Sequence, residues 1–252
     1  MSFSLVPGFA QRYPKDEEDG LSWRDSILIE SCCTTLDEAL AAQSRGADGI
    51  ELCTDLSRGG FTPARDLITE VVKTLTIPVN VLIRPSTSEA RRFERHCQSA
   101  SHVEGIEFSA WDFVYAKSDL DQMVADIEYC KTVGAAGIVV GVLTPDGVID
   151  TAAMRRLIAA AAPLPVTFHR AFDVASGDPF DDLETLITLG CARLLTSGRA
   201  ATAWDGRGLI SRLVSHAAGR LIVMPGCGIN PTNLPVLHAF THASEYHGTK
   251  LP

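Results

Sequence analysis

A chain of 252 residues with 46% hydrophobic content has material for a sizeable core, as one barrel or as two small domains. Its net charge of −9 argues against a nucleic-acid partner and against acidic membrane surfaces; no apolar run reaches membrane-spanning length, and the N-terminus lacks the basic-then-apolar pattern of a secretory leader. Seven cysteines, an odd number without a Cys-x-x-Cys pair, read as reduced thiols of a cytosolic protein rather than as disulfides or a structural zinc site.

Residues 1–25 are polar, with Pro7, Pro14 and the acidic run Asp16 to Asp19, and are expected to form a largely irregular extension. From Ile27 strand and helix patterns alternate. Ile27–Cys32 reads as a strand, and Thr35 with Glu38 forms a capping-box pattern opening a helix that ends at Gly46. Gly49–Leu52 is the second strand, and Pro63 is placed in the first turn of the next helix. Val79–Arg84 is the third strand. Residues 86–112 break the rhythm and read as a polar loop insertion holding His96, Cys97 and His102, whose irregular spacing does not suggest a metal cluster. Beyond it come a helix from Ser118 to Val133, a strand from Ala136 to Gly141 and a helix capped by Asp150. A strand from Pro165 to Arg170 and a helix opened by Asp178-Pro179 follow. The pattern continues with Ala192–Thr196, a helix over about Asp205–Ala217, Arg220–Met224, a helix from Asn230-Pro231 and a last strand, Ser244–His247. Eight apolar strands alternating with seven helices predict an all-parallel sheet closed as a TIM-type (β/α)8 barrel over residues 26–252, lacking its eighth helix. The bared wall predicts cover from the N-terminal extension or from another protomer, hence a homo-oligomer.

In such a barrel, function sits where the strands end. Those ends are unusually polar here: Glu30 and Cys32, Glu51 and Cys53, Arg84, His169 with Arg170 and Asp173, Thr196 with Ser197, Cys227, and Glu245 with His247. Side chains alternate along a strand, so Glu30 and Cys32 share one face, as do Glu51 and Cys53. If the two strands are parallel neighbours, roughly 4.8 Å apart, the thiols meet at one rim. They are then either small buried hydrophobes, as Cys33 on the opposite face is expected to be, or a site for a soft metal ion. Glu30, Glu51, His169 and Glu245 are candidates for acid–base chemistry, against the alternative of an internal ion-pair lattice with Arg84 and Arg170. His169 is expected to be oriented by the Asp173 carboxylate. Arg84, Arg170, Ser197, Gly226 and Gly228 are candidates to hold an anion, the last three through the turns that follow the sixth and seventh strands.

The segments Glu30-Ser31-Cys32, Gly46 to Cys53, Gly59-Gly-Phe-Thr-Pro63, Val81-Leu-Ile-Arg-Pro85, Leu164 to Asp173, Leu194 to Gly198 and Val223 to Ile229 together resemble the CutC family of copper homeostasis proteins. The resemblance runs in order from the first strand to the last. It implies a cytoplasmic TIM-type barrel concerned with copper tolerance, with Cu(I) ligands matching Cys32 and Cys53. Three departures stand out: the long 86–109 segment, Ala110-Trp111-Asp112-Phe113 in place of Gly-Gly-Asp-Phe, and Cys227 where Gly is usual, which would either add a third thiol near the site or simply be tolerated there. Two functional readings follow. One is copper handling through the paired thiols; the other is an enzyme acting on a small phosphorylated or carboxylated metabolite.

Overall fold

The computed structural model describes residues 23–86, 108–249 and 251. Eight parallel strands run in the order β7-β6-β5-β4-β3-β2-β1-β8. They are β1 (Leu28–Cys33), β2 (Gly49–Leu52), β3 (Val79–Leu82), β4 (Gly137–Val140), β5 (Val166–Phe168), β6 (Arg193–Thr196), β7 (Ile222–Pro225) and β8 (Glu245–Gly248). A helix follows each of the first seven: α1 (Leu36–Ser44), α2 (Arg65–Thr74), α3 (Lys117–Val133), α4 (Thr151–Ala161), α5 (Pro179–Leu189), α6 (Arg207–Ala217) and α7 (Leu234–Thr241). This is a TIM-type barrel. Among the described residues no helix follows β8, and β7 and β8 share no ladder, so the wall has one unsealed seam.

The strands are short and apolar because both faces are buried. Outward residues such as Ile29, Ile50, Leu52, Val81, Ile138 and Leu194 pack under the helices in one large cluster. Helix starts follow local chemistry: Thr35 accepts from Glu38 N, Asp150 from Ala153 N, and Asp178 from Phe180 N and Asp181 N. Gly134 and Gly190 end α3 and α5 at φ +88° and +83°, a region open to glycine without strain.

Two helix starts differ from expectation. Pro63 precedes the α2 cap, Ala64, and the chain turns helical only at Arg65. Asn230-Pro231 instead forms a turn in which the Asn230 side chain accepts from Thr232 N and Asn233 N, and α7 begins at Leu234. The extension to residue 22 and segment 87–107, with His96, Cys97 and His102, lie outside the described residues. Trp23–Ser26, expected to be irregular, is a 3-10 turn; Arg24 ties it to Asp48, and Trp23 stacks on His238 of α7 at 5.8 Å. Ala110–Phe113, the end of the expected insertion, is likewise a 3-10 turn, closed by reciprocal bonds between Ser109 and Asp112.

Candidate functional site

Four adjacent strands, β8, β1, β2 and β3, bring the first site together. In the ladders, Glu30 of β1 lies opposite His247 of β8, Cys32 opposite Glu51 of β2, and Glu51 opposite Asn80 of β3. All five face the barrel interior. Cys53 follows β2, and its sulfur lies 3.6 Å from that of Cys32. Leu82, Val139 and Leu56 enclose the pair. Cys53 is fully buried, whereas Cys32 also lines a surface groove of about 390 Å³ with Thr34, Asp55 and Leu56, which gives the thiols a path to solvent. Cys33 faces outward into the helical layer, as parity required.

Below the sulfurs sits a carboxylate–imidazole group. His247 Nδ1 lies 2.9 Å from Glu30 Oε1 and 3.7 Å from Glu51 Oε2. Asn80 Nδ2 donates to the other Glu30 oxygen at 2.6 Å. Room for that amide comes from Gly137, where a Cβ would fall 2.4 Å from Asn80 Oδ1. Ligand atoms of Glu30, Glu51 and His247 lie within 4.8 Å of one another, close enough to hold a metal ion.

The three groups titrate differently for stated reasons. Burial acts to raise the Glu30 pKa, but the His247 hydrogen bond and charge, with Asn80 and Arg193, outweigh it and hold the carboxyl below its ordinary value. Burial acts to lower His247, but the bond to Glu30 and the charges of Glu51 and Glu30 raise it. Glu51 has no such bond. Burial pushes it up to about 7 against the pull of His247, and its Oε2 has no hydrogen-bond partner among the described residues. The Cys32 thiol stands well above the usual thiol range, first through its bond with Cys53, then through burial and the charge of Glu51.

The remaining predicted residues are elsewhere. Glu245 does not join the group: Arg193 Nε of β6 holds it at 2.6 Å, an ion pair that reaches past β7 and stitches the unsealed seam from inside. The expected partners of the glutamates, Arg84 and Arg170, pair with none of them among the described residues. Arg170 Nε binds Asp173 at 2.9 Å, and its Nη2 reaches Ser197. Asp173 therefore does not orient His169. It instead accepts from Thr196, Ser197 and Arg199 and fixes the turn after β6. The Ser197 and Gly226 N–H groups, expected to meet an anion, already donate to Asp173 and to Thr196 O. Gly228, at φ +72°, turns the loop after β7. Cys227 does not add a third thiol to the pair, because its sulfur donates to Ala201 O at 3.3 Å. His169 and Arg84 each follow the C-terminal end of a strand, β5 and β3, and the charge of Arg84 acts on the His169 ring.

Asn80, Arg193 and Tyr115 were not among the predicted residues, and His247 was noted only beside Glu245. Asn80 and Arg193 carried a signal, a polar residue inside an otherwise apolar strand; Tyr115 lies in a segment with no period to read.

The model of the CutC family matches residues 27–96 and 100–251. A CutC family protein of Parabacteroides distasonis is 42% identical over 222 residues, covering 87% of this chain and 81% of that protein. A human protein called copper homeostasis protein cutC homolog is 41% identical over 223 residues, 88% of this chain and 73% of its own length. The crystal structure of the protein called CutC from Streptococcus agalactiae superposes with a TM-score of 0.77 at 29% identity, over 90% of this chain and all of that one. An aldolase named QR15 shares the fold alone, at 13% identity and TM-score 0.57.

Proposed function

Because the chain belongs to the CutC family, we propose that it serves copper homeostasis in the cytosol by binding Cu(I) between Cys32 and Cys53. The observation that carries this is the 3.6 Å separation of two free, inward-facing sulfurs on neighbouring strands. A metal with bonds of about 2.3 Å holds two sulfurs about 3.8 Å apart at a tetrahedral angle and about 4.6 Å apart in a line. The first arrangement fits the pair as it stands; the second asks for a spread of about 1 Å. Soft thiolates select Cu(I) over hard cations. Glu51 and Glu30, two residues before each cysteine on the same face, lie beneath the sulfurs, and Leu82, Val139 and Leu56 pack against them. Relatives named for copper homeostasis support the assignment of the metal.

Titrating the reduced protein with Cu(I) against a competing chelator tests it. Cys32→Ser and Cys53→Ser are each expected to weaken binding at least roughly tenfold, since one lost metal–sulfur bond exceeds 1.4 kcal/mol. Wild-type affinity in both variants would remove the thiols from the site.

A second reading rests on Glu51, whose unpartnered oxygen and pKa of about 7 suit a general base beside His247. The barrel would then act on a small phosphorylated or carboxylated metabolite. A metabolite turned over by the wild type but not by Glu51→Gln supports it; equal turnover by that variant excludes Glu51.

A further inference from the structure

Four buried side-chain atoms lack a hydrogen-bond partner among the described residues, and three of them gather about Arg84 at the mouth: Arg84 Nε, Tyr115 Oη and His169 Nε2. Arg84 is 3% exposed and His169 5%. Phe113 joins these two, with the guanidinium carbon 5.2 Å and the imidazole centre 4.9 Å from its ring centre. The charge of Arg84 acts on both the Tyr115 hydroxyl and the His169 ring, so the three groups share one electrostatic neighbourhood. Gly141 makes the room for His169: a Cβ there would fall 2.5 Å from the ring.

All three groups carry a proton to donate, and the Tyr115 oxygen also lies beside the donors of Arg84. A guanidinium N–H and a phenol O–H donate by nature. His169 does so by tautomer: Ala171 N–H donates to its Nδ1 at 3.2 Å, so the neutral ring carries its proton on Nε2. Burial, with the charges of Arg84 and Arg170, lowers the His169 pKa to about 3 and keeps the ring neutral. Among the described residues the cation at the centre of the cluster has no counter-ion. Arg84 Nη1 donates to Gly60 O at 2.8 Å and to Arg58 O at 3.4 Å, both carbonyls, and no carboxylate pairs with it among the described residues. The ring faces of Phe61, Phe108 and Phe113 enclose the guanidinium at 4.7, 5.2 and 5.2 Å. They stabilise the charge and exclude water but accept no strong hydrogen bond. Arg170, 5.6 Å from the Phe108 ring centre, adds positive potential at the rim.

A buried cation without a counter-ion among the described residues, its guanidinium beside the Tyr115 oxygen and flanked by donor protons of Tyr115 and His169 that have no acceptor there, is complementary to a group made only of acceptors and carrying negative charge. We infer that Arg84, Tyr115 and His169 form a binding site for the oxyanion of a small molecule, a carboxylate or a phosphoryl group. The site adjoins the thiols through Gly60: its carbonyl holds Arg84, and a Cβ on it would lie 3.6 Å from Cys53 Sγ. An anion bound there is a neighbour of the sulfurs but takes none of their atoms, so the site stands whether or not the thiols hold copper.

The test titrates the full chain with sodium phosphate and, separately, with sodium malonate, each against sodium chloride of matched ionic strength, by calorimetry and by thermal shift. Saturable binding of phosphate identifies a phosphoryl site and of malonate a carboxylate site; either is the expected result. Tyr115→Phe is expected to weaken that binding roughly tenfold, the effect of one lost charge-assisted hydrogen bond. Its unfolding midpoint without anion should stay close to the wild type, because the hydroxyl proton has no acceptor among the described residues and only the interaction with Arg84 is lost. Its Cu(I) affinity should stay at the wild-type value, which separates this outcome from any failure of the copper reading. Arg84→Gln should abolish anion binding if it folds. The inference is overturned if neither anion binds beyond chloride, or if Tyr115→Phe binds as tightly as the wild type.

Discussion

Replacing His169 by Asn tests how strictly the barrel keeps this ring neutral. The folded pKa of about 3 lies well below the ordinary 6.5 because the ring is buried and faces the charges of Arg84 and Arg170. Between those two values the unfolded chain binds a proton that the folded chain refuses. Stability from this group is therefore complete above pH 6.5 and is lost as the pH falls towards 3. Over the whole window the loss reaches about 5 kcal/mol, and by pH 5 it is about 2 kcal/mol. Asn does not titrate, and its amide oxygen can take the Ala171 N–H that Nδ1 now accepts. Packing against Phe113 is lost as well, but that cost is the same at every pH. Urea unfolding of both proteins at pH 7, 6 and 5 reads the difference and cancels the carboxylates they share. The wild type should lead at pH 7, and its lead should shrink by about 2 kcal/mol at pH 5. A gap that stays constant or widens would refute the neutral, buried imidazole, and with it the donor assigned to Nε2.

Three further outcomes concern stability. Arg193→Met strands Glu245 inside the barrel and should cost about 3 kcal/mol by chemical unfolding, whereas Arg193→Met with Glu245→Leu should recover most of it; no recovery would mean the pair does not stitch the seam. Gly206→Ala places a Cβ 1.9 Å from Ser197 O, a backbone atom with no rotamer to move, and should cost more than about 4 kcal/mol or abolish soluble expression. Gly46→Ala, at φ +91° with nothing within 4 Å, should cost only about 1 kcal/mol in the same assay.

Much of the first site was legible because it depends on a period of two. Consecutive parallel strands at one spacing force Cys32 and Cys53 to the same side, and the sulfurs meet at 3.6 Å. Cys33 was read correctly for the same reason. Glu245 and Asp173 were misread because their neighbours lie 52 residues away at Arg193 and 24 away at Ser197. A polar residue at a strand end looks the same in sequence whether it awaits a ligand or is already paired. Pro63 and Asn230-Pro231 show the matching limit for helices: a proline permits a start, and the helix begins where the following residues can bury a face.

Local order along the chain thus determined the strands, the helix caps, the barrel and the inward face of each rim residue, because each depends on neighbours within one turn or one strand. Closure of the barrel decided the rest. It set His247 against Glu30, carried Asn80 past β2, and brought Tyr115 and His169 to Arg84 with their protons unpaired among the described residues. Which charges are neutralised and which donors stay unpaired is a property of side chains packed from distant strands, and appears only once the sheet has curled back on itself.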